Sequence, residues 1–296
     1  SYAQFGENSR LRNIFTADEL NNTDPSELVG IIKDLTNFKH RVFYYGRHLD
    51  KAETALNKHH KIPAELKDYP PAVEYEELAT GKNVYFVDFD MVQSEMLFIA
   101  RGDVFDPKKM ALSNVFNSYF GEGMSSIVWQ EIRESKSLAY AAQASYQTAG
   151  EKGKHDLVWT YLGTQANKIP EAVDAMLGLM NNMPEAEAQF EAAKDAALKK
   201  ISAQRITKSN IFWTYESLLK RGIDYDIRKD MYQQIQEMGM KDINAFFDSN
   251  VKGKDYSVAV IGNKNDLDLE ALKKLGEVHE MDVDYLFNYK EVEVKQ

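Results

Sequence analysis

The sequence predicts an α+β fold: a mainly antiparallel sheet with helices packed on one face, the layer arrangement of a pitched sheet and its cover. Two patterns point to it. Apolar segments of period two come in consecutive pairs joined by polar turns, and a parallel crossover would need a connection of about a dozen residues or more. Between and after the pairs run longer segments whose apolar residues recur at helical spacing. A third observation says what must hold these elements together. The 296 residues include no cysteine and are 44% hydrophobic, so an apolar core replaces any disulfide framework.

The first pair is "NVYFVDFD" from Asn83 and "EMLFIARG" from Glu95, expected as a hairpin or as near neighbours. Next, "DPKKMALSNVFNSYFG" sets Leu112, Val115, Phe116 and Tyr119 on one helical stripe, with Pro107 near the first turn and Gly121 beyond the end. Ser125 or Ser126 can cap the helix that follows. Its Ile127, Val128 and Ile132 face inward, while Gln130, Arg133 and Glu134 lie laterally or outward. "LAYAAQASYQT" and "DLVWTYLGT" then form two strands around the polar turn "AGEKGKH". Three helical faces follow: Ile169, Val173, Met176, Leu177 and Met180; Phe190, Leu198 and Ile201; Ile211, Tyr215 and Leu218. The strand "SVAVIG", a short helix and a charged tail complete the order.

An internal repeat organises the chain on a larger scale. Gly46 and Gly262 lie 216 positions apart, and the same offset pairs Gly6 with Gly222, Arg12 with Arg228, Asp50 with Asp266, Ala55 with Ala271 and Leu56 with Leu272. Each copy reads helix, short apolar strand, acidic turn, helix: "PSELVGIIKDL", "RVFYYG" and "KAETALNKH" in the first, "KDINAFFDSNV", "SVAVIG" and "DLEALKKLG" in the second. Self-similarity at long period indicates tandem homologous domains. Residues 1–61 are therefore expected to be the C-terminal remnant of a preceding domain, residues 62–82, with three prolines, a linker, and residues 83–296 a complete domain. A strand at Val42–Tyr45 would lack native neighbours and would dock on its own domain or on a second copy, giving possible self-association through residues 1–61.

Composition excludes several functions. With 46 acidic against 36 basic residues the net charge is -10, which disfavours nucleic acid and anionic lipid as partners. No apolar run approaches the ~20 residues of a membrane-spanning helix, and nothing in the sequence fixes the compartment. None of the six histidines stands in an H-E-x-x-H or H-x-x-E-H pattern, so no metal site is expected in this chain. His59 and His60 are adjacent and diverge on a helix, which makes them solvated surface. "FGEG" lacks the lysine and hydroxyl residue of a phosphate loop and reads as a turn. Asp88 and Asp90 share a strand face but belong to a generally acidic chain. On residue chemistry alone, Arg133 would pair with Glu134 or another nearby acid, and Tyr140 would sit half-buried on its strand.

The stretch "YFGEGMSSIVWQEIRESKSLAY" changes that balance. Gly121, Gly123, Met124, Ser125, Ser126, Glu131, Arg133, Leu138, Ala139 and Tyr140 fall in register with a block that resembles the pitrilysin-type zinc peptidases, the group of insulin-degrading enzyme and mitochondrial processing peptidase. That family is built from tandem homologous domains in two halves around a chamber. One half holds zinc through H-x-x-E-H and a further glutamate. The other is catalytically degenerate. Lacking the zinc motif, this sequence resembles the inactive half, and it departs from the family at Glu122, where glycine is common. The resemblance implies that Arg133 binds substrate carbonyls, that Tyr140 stabilises the transition state in trans, and that Gly121, Gly123, Ser125 and Ser126 form the loop before them. It implies zinc in a partner half, on the same polypeptide or a separate subunit, and a peptide substrate. A non-proteolytic scaffold subunit and a free-standing peptide-binding module are the alternative functions.

Overall fold

In a computed structural model that describes residues 1–208 and 210–287, six strands form one sheet. They are β1 (Asn83–Asp88), β2 (Gln93–Val104), β3 (Ala141–Gln147), β4 (His155–Gln165), β5 (Ser257–Gly262) and β6 (Glu277–Met281), in the order β3-β4-β2-β5-β1-β6. Strands β3, β4, β2 and β5 pair antiparallel in turn, and β5, β1 and β6 pair parallel. Of the two arrangements expected for the first two strands, hairpin or near neighbours, the second is found, because β5 returns from far along the chain to lie between them. The charged tail contains β6, which pairs with β1 at the sheet edge. Its last residues, 288–296, lie outside the described residues.

Alternation along each strand gives the sheet one dry face. Val84 and Phe86, Met96 and Phe98, Ala142 and Tyr146, Val158 and Leu162, Val258 and Val260 all point into the core. Against them pack α5 (Lys109–Phe120), α6 (Ile169–Asn181), α7 (Glu187–Ala203), α9 (Arg228–Glu237) and α10 (Met240–Asn250). Phe116, Tyr119, Phe120, Phe190, Phe246 and Phe247 supply the largest side chains, with Phe116 stacked on Phe120 at 5.1 Å. Each such ring contributes about 1.5–3 kcal/mol on leaving water. The other face of the sheet carries no such helix layer. Its cross-strand row runs Gln143, Tyr161, Leu97, Ala259, Tyr85, His279.

The stripe expected on α8 (Asn210–Lys220) reaches a core at one end alone: Ile211 and Tyr215 are exposed, while Leu218 is partly buried against the small cluster of Phe105, Ile223 and Ile227. The N-terminal segment also touches α8. Phe43 stacks on Phe212 at 4.5 Å between centroids, and Arg41 forms an ion pair with Glu216. That segment runs through α1 (Tyr2–Phe5), α2 (Ala17–Asn22), α3 (Pro25–Asp34) and α4 (Leu49–His59). Both helices expected from the first repeat copy are present. Its strand is not: residues 41–45 are in neither helix nor strand, and a strand needs a hydrogen-bonded neighbour. Residues 60–82 contain neither helix nor strand beyond one bridge, Phe38 to Lys67. His60 is less exposed than expected, its Nε2 lying 2.7 Å from that of His40. Two short helices close the description: α11 (Leu269–Lys273) and α12 (Val283–Phe287).

Candidate functional site

The site is built where α5 ends and the chain makes its way to β3. Gly121 ends α5 because nothing larger fits: a Cβ there would stand 1.9 Å from the Ala144 carbonyl oxygen. The close approach lets the Ala144 N–H donate to the Gly121 carbonyl at 3.2 Å, tying the loop to β3. Gly123 adopts φ 87°, a left-handed conformation that glycine takes without penalty. Ser126 is buried, donates its hydroxyl to the Gly123 carbonyl at 2.8 Å and caps the helix start by accepting from the Trp129 N–H at 3.4 Å. Ser125 is exposed. Glu122, the departure from the family block, accepts from the Ser145 hydroxyl at 2.9 Å, a second tie to β3.

The helix after the loop is a π-helix, Trp129–Ser135, a form that is rare and frequent at functional sites. Ile127, Val128 and Ile132 are buried as expected. Arg133 stacks over the Trp129 ring at 4.1 Å from guanidinium carbon to centroid, and the Trp129 indole N–H donates to Glu134 at 3.1 Å. The expected Arg133–Glu134 pair is thereby replaced: Glu134 is engaged with tryptophan, and among the described residues Arg133 has neither an ion pair nor a side-chain hydrogen bond.

The turn to β3 is tight. Ser137 sits at φ 51°, uncommon for a residue with a side chain. Leu138 donates its N–H to the Ile132 carbonyl at 2.9 Å, so the chain has doubled back between Arg133 and Tyr140. The Lys168 ammonium donates to the Ser137 carbonyl at 2.9 Å and the Thr164 hydroxyl to the Leu138 carbonyl at 2.5 Å. Tyr140 donates its backbone N–H to the Gly163 carbonyl at 2.8 Å and leaves its side chain 54% exposed. Its hydroxyl accepts from the Gln165 amide at 3.2 Å. Gln165 alternates with Tyr161 and Gly163, so the phenol reaches the helix-free side of the sheet. No acceptor among the described residues takes the phenol's own proton.

A guanidinium held by stacking alone and a phenol with a free proton present donors without acceptors. Such groups suit carbonyl oxygens of a bound chain. Trp129 and Gln165, which position the two, carry no signal in the sequence that sets them apart from ordinary helix and strand residues. Among the described residues no three His, Asp or Glu side chains are placed to hold a metal ion; the zinc that the resemblance implies is one of a partner half. His40 and His60 face each other through their Nε2 atoms, and His40 Nδ1 lies 2.7 Å from the Phe38 carbonyl.

Residues 47–197 match the model of the peptidase M16 inactive domain, a span that includes α4, β1 to β4 and the whole loop-helix-turn unit. No curated protein matches the sequence. Among solved structures, the chain is similar to a peptidase M16 inactive domain from Pseudomonas fluorescens, with TM-score 0.57 and 14% identity over 74% of this chain and 52% of that one. It is similar to a protease from Helicobacter pylori, with TM-score 0.60 and 14% identity over 82% of this chain and 60% of that one. The periplasmic protease PqqL from Escherichia coli gives TM-score 0.56 and 14% identity over 73% of this chain and 24% of that one. The chain thus spans 60% or less of the length of these structures. No helix among the described residues is long and apolar enough to cross a membrane. Since the matched segment makes up just over half of the 296 residues and the fold is shared, the chain belongs to the peptidase M16 family, as an inactive domain of the pitrilysin type.

Proposed function

We propose that this chain is the substrate-binding, non-catalytic half of a zinc-dependent peptidase, and that Arg133 and Tyr140 act on a peptide held at the zinc site of a partner half. The observation that carries the reading is the pair of unpartnered donors, one fixed by Trp129 and the other by Gln165. Arg133 donates to peptide carbonyls beside the scissile bond and holds the substrate in place. Tyr140 donates its phenolic proton as a hydrogen bond to the carbonyl oxygen on which charge develops. A preorganised donor of this kind is worth about 2.7–4 kcal/mol of barrier. Zinc and the hydrolytic step belong to the partner half, on the same polypeptide or on another.

The test is made in the complete enzyme with both halves present. Tyr140→Phe should lower kcat by about 10²–10³ while zinc content stays whole. Arg133→Ala should raise KM for peptide as well. Unchanged kinetic constants in both variants would remove the pair from the mechanism. A complete protein that binds zinc nowhere and cleaves no peptide would turn the reading to the scaffold function.

A further inference from the structure

We propose, resting on the reading just given for Arg133 and Tyr140, that Glu95 makes this half select peptides with a lysine or arginine close to the bond under attack. Glu95 pairs with that side chain in a hollow of the helix-free face beside Tyr140.

Strand register puts the hollow there. Tyr140 donates its N–H to the Gly163 carbonyl, and Gly163 stands directly opposite Ala141 of β3 on one side and Glu95 of β2 on the other. The row that crosses the helix-free face at this level therefore reads Ala141, Gly163, Glu95, Ile261. Its first two members are nearly bare of side chain, which leaves a depression between Tyr140 and the Glu95 carboxylate. The span is about two strand spacings, about 10 Å, and a long side chain one or two residues along an extended peptide bound at Tyr140 can cross it. The Tyr161 hydroxyl closes one end: a Cβ built on Gly163 would stand 3.2 Å from it.

The polar groups around the hollow present acceptors. Glu95 is exposed, and among the described residues no cation pairs with it. Its neighbour is Tyr161, whose phenol is pushed above its ordinary pKa by burial and then by the charge and hydrogen bond of Glu95. That phenol gives its proton to the carboxylate and keeps its oxygen as an acceptor. The Gln165 amide nitrogen donates to the Tyr140 hydroxyl, so its amide oxygen is left to accept. A carboxylate, a phenol oxygen and an amide oxygen suit an ammonium or guanidinium group and repel an acidic side chain. Beyond Glu95, Leu97 and Ile261 line a cavity and offer apolar surface to a methylene stem. Donors and acceptors are thus sorted on the site: Arg133 and Tyr140 face carbonyl oxygens, and the hollow faces a cation.

The test uses the complete enzyme with both halves present. Acetylated, quenched peptides carry lysine, arginine, norleucine or glutamate in turn at each of the two positions on either side of the cleaved bond; norleucine keeps the stem of lysine without its charge. At one position lysine and arginine should exceed norleucine by about tenfold or more in kcat/KM, with glutamate the poorest. Glu95→Gln should erase this order and Glu95→Lys should turn it toward glutamate. A lysine preference that Glu95→Gln leaves intact, or no preference at any position, overturns the proposal. The Tyr140 reading survives that result if Tyr140→Phe still lowers kcat for every peptide. Affinities of the same peptides for the complete protein separate the two in the other direction. If no peptide is cut, or Tyr140→Phe cleaves normally, a preference for basic peptides that Glu95→Gln abolishes upholds Glu95 while the catalytic reading falls; its absence there removes both.

Discussion

Gly121 shows how a single residue can be required for reasons unrelated to ligand binding. Its φ is ordinary, and the demand comes from the Ala144 backbone, which lies where a Cβ would go. Gly123, two residues on, has open space around it and needs only its left-handed φ. Gly121→Ala must therefore push α5 and β3 apart, at about 1–3 kcal/mol for an overpacked contact. Gly123→Ala pays only the conformational term, about 1–2 kcal/mol. Thermal melts should rank Gly121→Ala below Gly123→Ala, and Gly121→Ala should also disturb Tyr140, since β3 moves with the loop; the reverse ranking would mean that the close approach is relieved at no cost. The sequence made both glycines visible as a turn, but the difference between them depends on a strand that starts twenty residues later. Arg133 and Tyr140 were visible only through family resemblance. Their spacing says nothing about Trp129 and Gln165, the residues that hold the guanidinium and the phenol in place.

Elements whose burial pattern is local were legible. The helical stripe of α5 and the alternation in β1, β2, β4 and β5 follow from side chains that a single packed face selects. Three elements were not. The insertion of β5 between β1 and β2 is a long-range pairing with no local trace; β6 is half exposed at the sheet edge, so its charges hide its period; and α8 carries an apolar stripe whose Ile211 and Tyr215 are exposed while Leu218 packs on the small cluster of Phe105, Ile223 and Ile227. Between β3 and β4 there is also a polar link inside the core. The Tyr146 hydroxyl donates to Asp156 at 2.7 Å, and Asp156 also accepts from the Ala149 N–H at 2.8 Å. Burial, and then the Asp156 carboxylate, push the Tyr146 phenol well above its ordinary pKa. A group whose folded pKa is raised adds stability below its unfolded value, near 10, and loses that contribution as pH rises toward the folded value. Melting temperature should thus be insensitive to this group up to about pH 10 and fall above it. Tyr146→Phe should reduce the alkaline fall measured by calorimetry. An identical fall in that variant would assign the effect to other phenols, of which Tyr256 is also raised by burial.

For the whole molecule the two faces of the sheet are unequal, and the N-terminal residues make up part of the difference. Helices close one face completely; on the other, Tyr2 meets Tyr85 edge-on at 5.5 Å and Tyr285 at 6.0 Å. Ala3 and Ser9 are buried there, beside a cavity of about 340 Å³ lined also by Leu97, Tyr161 and Ile261. The segment is tied down by backbone and side chain alike. Leu78 donates its N–H to the Gln4 carbonyl at 2.8 Å, and Arg12 donates to the Tyr285 carbonyl at 2.8 Å while its guanidinium lies 4.4 Å from the Tyr285 ring. Nothing in "SYAQFGENSRLRN" marks it as a cover, because its contacts are with residues far along the chain, Leu78, Tyr85 and Tyr285 among them. Since these strands pack their even-numbered residues into the helix layer, removing residues 1–15 should leave that core intact and wet the other face. The expected result is a melting temperature lower by several degrees, at about 2–4 °C per kcal/mol for a chain of this size, with stronger binding of an apolar dye. Far-ultraviolet circular dichroism should change only by the loss of short helix. A truncated chain that melts at the original temperature and binds no more dye would show that Tyr85, Leu97 and Tyr161 are not held dry by this segment.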